Sequence, residues 1–122
     1  MLFRSLDATV GATALVQPSY FESFSLALCE GWVCRRPAIV QGRCEVLVGQ
    51  ARRSNGGLPY RSFAEFAAAV ARLLQDYALG AEMGEAGRQY VLANYEWDSV
   101  LERYERFVSR VIEARRARSA DE

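Results

Sequence analysis

Pro18-Ser19-Tyr20-Phe21-Glu22-Ser23-Phe24-Ser25-Leu26-Ala27-Leu28-Cys29-Glu30 is the stretch whose reading decides the fold. Just before it, Ala14-Leu15-Val16 is an apolar run too short for a helix and suited to a parallel strand buried on both faces. Pro18 stops that strand, because it has no N–H to give to a ladder. Ser23 and Ser25 are good N-cap residues for the helix that follows. The stretch therefore reads as strand end, polar turn and helix start, with Glu22 in the turn and Glu30 about two helical turns further on.

That unit suggests a ligand. A helix start at the carboxyl end of a parallel strand presents unpaired N–H groups and the positive end of the helix dipole, which suits a phosphate. Glu22 can accept hydrogen bonds from hydroxyls near that phosphate. Glu30, the only charge between Ser25 and Val33, can accept from a vicinal pair of hydroxyls such as a ribose offers. Read without that context, Glu22 is a solvated turn residue and Glu30 belongs to the exposed stripe of an amphipathic helix. Phe24, Ser25 and Leu26 are an N-cap and a first core turn.

Working outward, residues 2–8 read as the tail of a helix, and residues 13–17 as the first strand. The helix after the turn runs to about residue 34. Pro37 to Gln41, with β-branched Ile39 and Val40, is the second strand, which completes a parallel βαβ unit. Residues 45–52 form a short helix or turn. Ser54-Asn55-Gly56-Gly57 is a turn in which the glycines allow positive φ. Residues 58–60 form a short strand that Pro59 assigns to a sheet edge. Ser62-Phe63-Ala64-Glu65 is a capping box opening a helix with Phe63, Phe66, Val70, Leu73 and Leu74 on one face. A helix over residues 81–94 is interrupted at Gly84 and Gly87. The last helix starts near Trp97, with Ser99 and Glu102 as a second capping box. Its stripe is Val100, Tyr104, Phe107 and Val111. Residues 113–122 are expected to fray as an Arg-rich tail within one domain of residues 1–122.

Composition narrows the chemistry. Half of the 122 residues are apolar and a quarter are charged, so the chain belongs with globular domains that have a real core. Net charge is zero, which gives no reason to expect a nucleic-acid partner. All fifteen basic residues are Arg, and there is no His. A lysine nucleophile, a Schiff base, a histidine base and a His-ligated metal are therefore excluded within this chain. Cys29, Cys34 and Cys44 lack C-x-x-C spacing, and no secretory segment or apolar run of membrane-spanning length is evident. Reduced, packed thiols and a cytoplasmic location, with at most peripheral contact with membrane, are expected.

The segment P-S-Y-F-E-S-F-S-L-A-L-C-E resembles the E-x7-E motif of retaining GT-B glycosyltransferases, P-S-x-x-E-G-F-G-L-x-x-x-E followed by A-x-A-x-G-x-P-V-V. Glu22 and Glu30 match the two glutamates, and Pro37-Ala38-Ile39-Val40 matches the proline and strand. Gln41-Gly42-Arg43-Cys44-Glu45-Val46-Leu47 is similar to the family's G-G-x-x-E-V-V. Asn55-Gly56-Gly57-Leu58 resembles its N-G-L-L turn, and Asn94-Tyr95-Glu96-Trp97 resembles the F-S-W that opens its last helix. The matches keep their order from about Ala12 to Phe107. Three departures stand out: the family usually carries Gly where this chain has Ser25, Gly at or near Arg35, and Gly where this chain has Gln41.

The resemblance implies an α/β fold: a partial Rossmann-like parallel sheet with flanking helices, the C-terminal half of a GT-B fold, with a helical C-terminus. It implies the donor-binding portion of an enzyme that moves a sugar from a nucleoside diphosphate sugar to an acceptor hydroxyl with retention. No cofactor and no essential metal are implied, the nucleotide-sugar being the substrate. Glu22 is then the catalytic residue. The backbone of Phe24, Ser25 and Leu26 holds sugar and diphosphate, and Glu30 binds ribose. Arg43 faces the diphosphate, or is solvated or paired with Glu45. The family's N-terminal domain, first C-terminal-domain strands and an Arg–Lys pair have no counterpart in these residues, so the chain alone is not expected to turn over. The alternative is a nucleotide-binding or interaction module that dimerises through the last helix or pairs with a separate N-terminal half. A GT-B sugar epimerase fits less well, because those enzymes lack this turn.

Overall fold

The structure is a computed structural model that describes residues 2–120. Among these, six helices and a three-stranded parallel sheet follow the order α1 (Leu2–Gly11), β1 (Leu15–Gln17), α2 (Leu26–Val33), β2 (Ala38–Gln41), α3 (Glu45–Ser54), β3 (Gly57–Tyr60), α4 (Phe63–Gln75), α5 (Tyr77–Tyr95) and α6 (Trp97–Ala120). The chain divides into a unit ending at Val91 and a second unit beginning at Leu92.

In the first unit the sheet order is β1-β2-β3, with Leu15 opposite Ala38 and Ile39 opposite Leu58. β2 is buried along its whole length, as a central parallel strand must be. Alternation along the strands sorts the packing. Leu15, Ala38 and Gly57 turn toward α2 and α3, where Gly31 lies against Leu15 and Ala51 against Gly57. Ile39 and Leu58 turn to the other face, into a cluster with Ala69, Leu73 and Met83. Trp32 is fully buried. Its Nε1–H donates to the Gly56 carbonyl at 3.0 Å, and its ring meets Tyr90 edge to face at 5.9 Å. Pro59 lies on the edge strand β3, where its missing N–H costs no ladder bond.

Several sequence expectations need correction. Positive φ in the turn after α3 falls on Asn55 at 54°, and no described glycine has it. Asn tolerates that region because its short amide bonds locally. The Ser62 cap forms, but Glu65 closes the box one residue earlier than expected, on the Arg61 N–H at 2.6 Å. On α4, Phe63 and Leu74 are exposed, and the buried positions are Ala69 and Leu73. α5 is continuous through Gly84 and Gly87, which are contact points rather than interruptions. In the second unit, Ser99 lies inside α6, and its hydroxyl donates to the Leu92 carbonyl instead of capping the helix. α6 is helical through Ala120, beyond residue 113 where fraying is expected.

Candidate functional site

The site lies at the carboxyl ends of β1 and β2. The loop over residues 18–25 links β1 to α2, and the loop over residues 42–44 links β2 to α3. Ser25 caps α2 from left-handed backbone, φ 73° and ψ 87°. Its Oγ accepts from the Leu28 N–H at 3.4 Å and from Gln17 Nε2 at 2.9 Å. An ordinary N-cap has extended backbone, so this turn is tighter than capping requires. One residue back, the Phe24 carbonyl accepts from Gln50 Nε2 at 2.6 Å. In the second loop the Arg43 N–H donates to Gln41 Oε1 at 3.1 Å. The Gly42 N–H donates to the Tyr60 carbonyl at 2.6 Å, and a Cβ at Gly42 would meet that oxygen at 2.7 Å. Gly42 is thus needed for close approach to β3, not for positive φ.

Between the two loops runs an open groove of about 460 Å³, lined by Tyr20, Phe21, Glu22, Ser23, Arg43, Cys44, Glu45 and Val46. Of the six residues expected from sequence, Glu22 and Arg43 line it together. Glu22 is half-buried and Arg43 is exposed. Arg43 is not paired with Glu45; Arg35–Glu85 and Arg106–Glu102 are ion pairs among the described residues. Phe24, Ser25 and Leu26 stand at the start of α2, with Ser25 buried and Leu26 exposed. Glu30 is exposed on α2 and is not among the residues lining the groove.

The thiols are packed, as expected. Cys29 and Cys44 are buried and Cys34 is half-buried. Burial, with the neighbouring Glu30 carboxylate, pushes the Cys29 thiol up to about 11, so it is protonated and inert at neutral pH. No cluster of three potential metal ligands occurs among the described residues. Among the described residues, no helix is long and apolar enough to cross a membrane.

Sequence reasoning missed the glutamines that tie these loops down. Gln17 and Gln41 end β1 and β2, and Gln50 lies on α3. Gln50 shares the buried stripe of α3 with Leu47, Ala51 and Ser54, and no local pattern in the sequence marks it out. Arg52 and Arg61, given no role from sequence, line a second groove of about 350 Å³ beside β3.

No family model, curated protein or solved structure matches this chain.

Proposed function

We propose that this chain is the donor-binding portion of a retaining glycosyltransferase of the GT-B kind. One observation carries the reading. Ser25 and Arg35 hold left-handed backbone at φ 73° and 57°, two of the positions where the resembled motif carries glycine; Ser23 and Gln41, which stand at two others, do not. Left-handed backbone at these two non-glycine residues is strained, and its coincidence with motif glycines supports the reading. The three parallel strands are, in this reading, part of a Rossmann-like sheet, and the groove at their carboxyl ends is where such sheets take ligands.

In this function Glu22 contacts the donor sugar's hydroxyls and stabilises positive charge developing at its reacting carbon. The N–H groups at the start of α2 and the Arg43 guanidinium neutralise the departing diphosphate. Glu30 accepts from the ribose hydroxyls. The acceptor hydroxyl attacks with retention, without an essential metal. The protein works in the cytoplasm, completed by an N-terminal domain that supplies the acceptor site. The described residues alone hold no Lys to pair with an Arg at the diphosphate, so turnover by this chain alone is not expected.

The test is a thermal-shift titration with UDP, GDP, ADP and TDP on wild type and Glu30→Ala. A ligand at about 100 times its Kd adds about 2.7 kcal/mol of stability. A shift with one nucleotide that Glu30→Ala abolishes is the expected result. No shift with any of the four contradicts nucleotide binding by this chain, and measured turnover contradicts its incompleteness.

The exposed stripe of α6 favours a second reading, a module that works by association. Tyr104, Phe107 and Val111 are each more than half exposed.

A further inference from the structure

Resting on the donor-binding reading, we infer that Gln50 is a positioning residue for the diphosphate: it sets the direction of the backbone N–H groups at the start of α2. Gln50 is 2% exposed and lies on the buried stripe of α3 between Leu47 and Ala51. An apolar side chain of equal volume would suit that position better, because a buried amide must find partners for both its ends. Gln50 finds one. Its Nε2 donates to the Phe24 carbonyl at 2.6 Å, whereas its Oε1 has no hydrogen-bond partner among the described residues. The amide is thus poorly placed for the core and well placed for the turn.

The consequence for the turn follows from peptide geometry. The Phe24–Ser25 peptide is trans, so its C=O and N–H point in opposite directions. Holding the carbonyl on Gln50 turns the Ser25 N–H away from that side chain. The hydroxyl of Ser25 is held by Gln17 Nε2, at 2.9 Å. Two amides from two elements therefore fix a left-handed residue whose N–H opens α2. Without Gln50 the peptide loses the restraint on its carbonyl, and the N–H groups at the start of α2 are held less firmly in one direction.

The experiment follows backbone amide resonances of the whole chain during titration with UDP, GDP, ADP and TDP. It compares wild type, Gln50→Met and Gln50→Glu. Met keeps the volume and removes the donor. Glu keeps the shape and donates only when protonated, which burial favours by raising its pKa. In wild type the Ser25 and Leu26 signals should move with one of the four nucleotides. Gln50→Met should bind that nucleotide roughly tenfold more weakly or worse. Gln50→Glu should bind weakly at about pH 8 and recover toward wild type at about pH 5.5, where a buried carboxyl carries its proton. A merely structural role gives no such recovery in a variant that stays folded at both pH values. Wild-type affinity in Gln50→Met, or no recovery in folded Gln50→Glu, overturns the inference alone. If no nucleotide moves any wild-type signal, the donor-binding reading itself falls. Should Gln50→Met fail to fold, the pH dependence of Gln50→Glu decides.

Discussion

Arg35 closes α2 in a conformation that glycine adopts more easily. Its φ is 57°, its N–H donates to the Trp32 carbonyl at 2.8 Å, and the Arg36 N–H donates to the Gly31 carbonyl at 2.9 Å. That pair of bonds is a Schellman ending, in which a non-glycine residue costs about 1 kcal/mol. Against this cost, Arg35 Nε pairs with Glu85 at 2.7 Å on the surface. The Gln89 amide and the Arg35 guanidinium hold the Glu85 carboxyl below its ordinary value of 4.5. A depressed carboxyl contributes stability above its unfolded pKa and loses it as the pH falls through the folded value. Arg35→Gly should therefore gain most in acid. Chemical denaturation should show it more stable than wild type by about 1 kcal/mol at about pH 3, and by less at about pH 7. An equal gain at both pH values would deny the ion pair any part. Ser25 faces the same strain with better compensation, since its hydroxyl caps the helix and accepts from Gln17. Ser25→Gly should change stability by no more than a few tenths of a kcal/mol, while Ser25→Ala keeps the strain, loses the cap and costs about 1 kcal/mol. A denaturation series in which Ala is the better of the two would contradict this account.

At the scale of elements, α5 shows why part of the fold escaped the sequence. Gly84 and Gly87 read as interruptions because glycine is a poor helix former. The helix runs on, and both are buried: a Cβ at Gly84 would strike the Arg35 carbonyl, and one at Gly87 would strike the Trp32 indole. Those neighbours lie far away along the chain, so no local pattern announces them. Gly80 on the same helix has only ordinary contact, with Pro37 at 3.8 Å. The three glycines should therefore answer oppositely to alanine. Gly80→Ala should stabilise by about 1 kcal/mol through helix propensity. Gly84→Ala and Gly87→Ala should destabilise by about 1–3 kcal/mol or more, because the helix must move off its neighbour. Thermal unfolding of the three variants reads the signs directly, and a stabilised Gly87→Ala would refute the Trp32 contact. The βαβ core was legible for the converse reason. Ala38-Ile39-Val40, Pro59 and the Ser62 cap carry their instructions within a few residues. In the site, Glu22 and Arg43 were legible as charged residues in loops. Gln50 was not, because its importance comes from a carbonyl 26 positions away.

For the whole molecule, the decisive question is what covers α6. Leu101, Tyr104, Phe107, Val111 and Ile112 are exposed at helical spacing, more apolar surface than a lone helix usually shows to water. The charges on this helix are segregated. From residue 97 to 106, Asp98, Glu102 and Glu105 outnumber Arg103 and Arg106. From residue 107 to 120, Arg110, Arg115, Arg116 and Arg118 outnumber Glu113. Two copies laid antiparallel set each acidic half against the other's basic half while the apolar stripes meet, which is the arrangement of a two-fold pair. Sedimentation velocity should therefore show a monomer at low micromolar concentration and a dimer at high micromolar concentration. Added salt should weaken the dimer by screening the exposed charges without abolishing it, since the apolar contact remains. Phe107→Glu should leave a monomer throughout, because an ionised carboxylate would be buried where a ring was. If wild type stays monomeric at every concentration, this face is not self-complementary. Association that Phe107→Glu leaves intact would assign the contact to another surface.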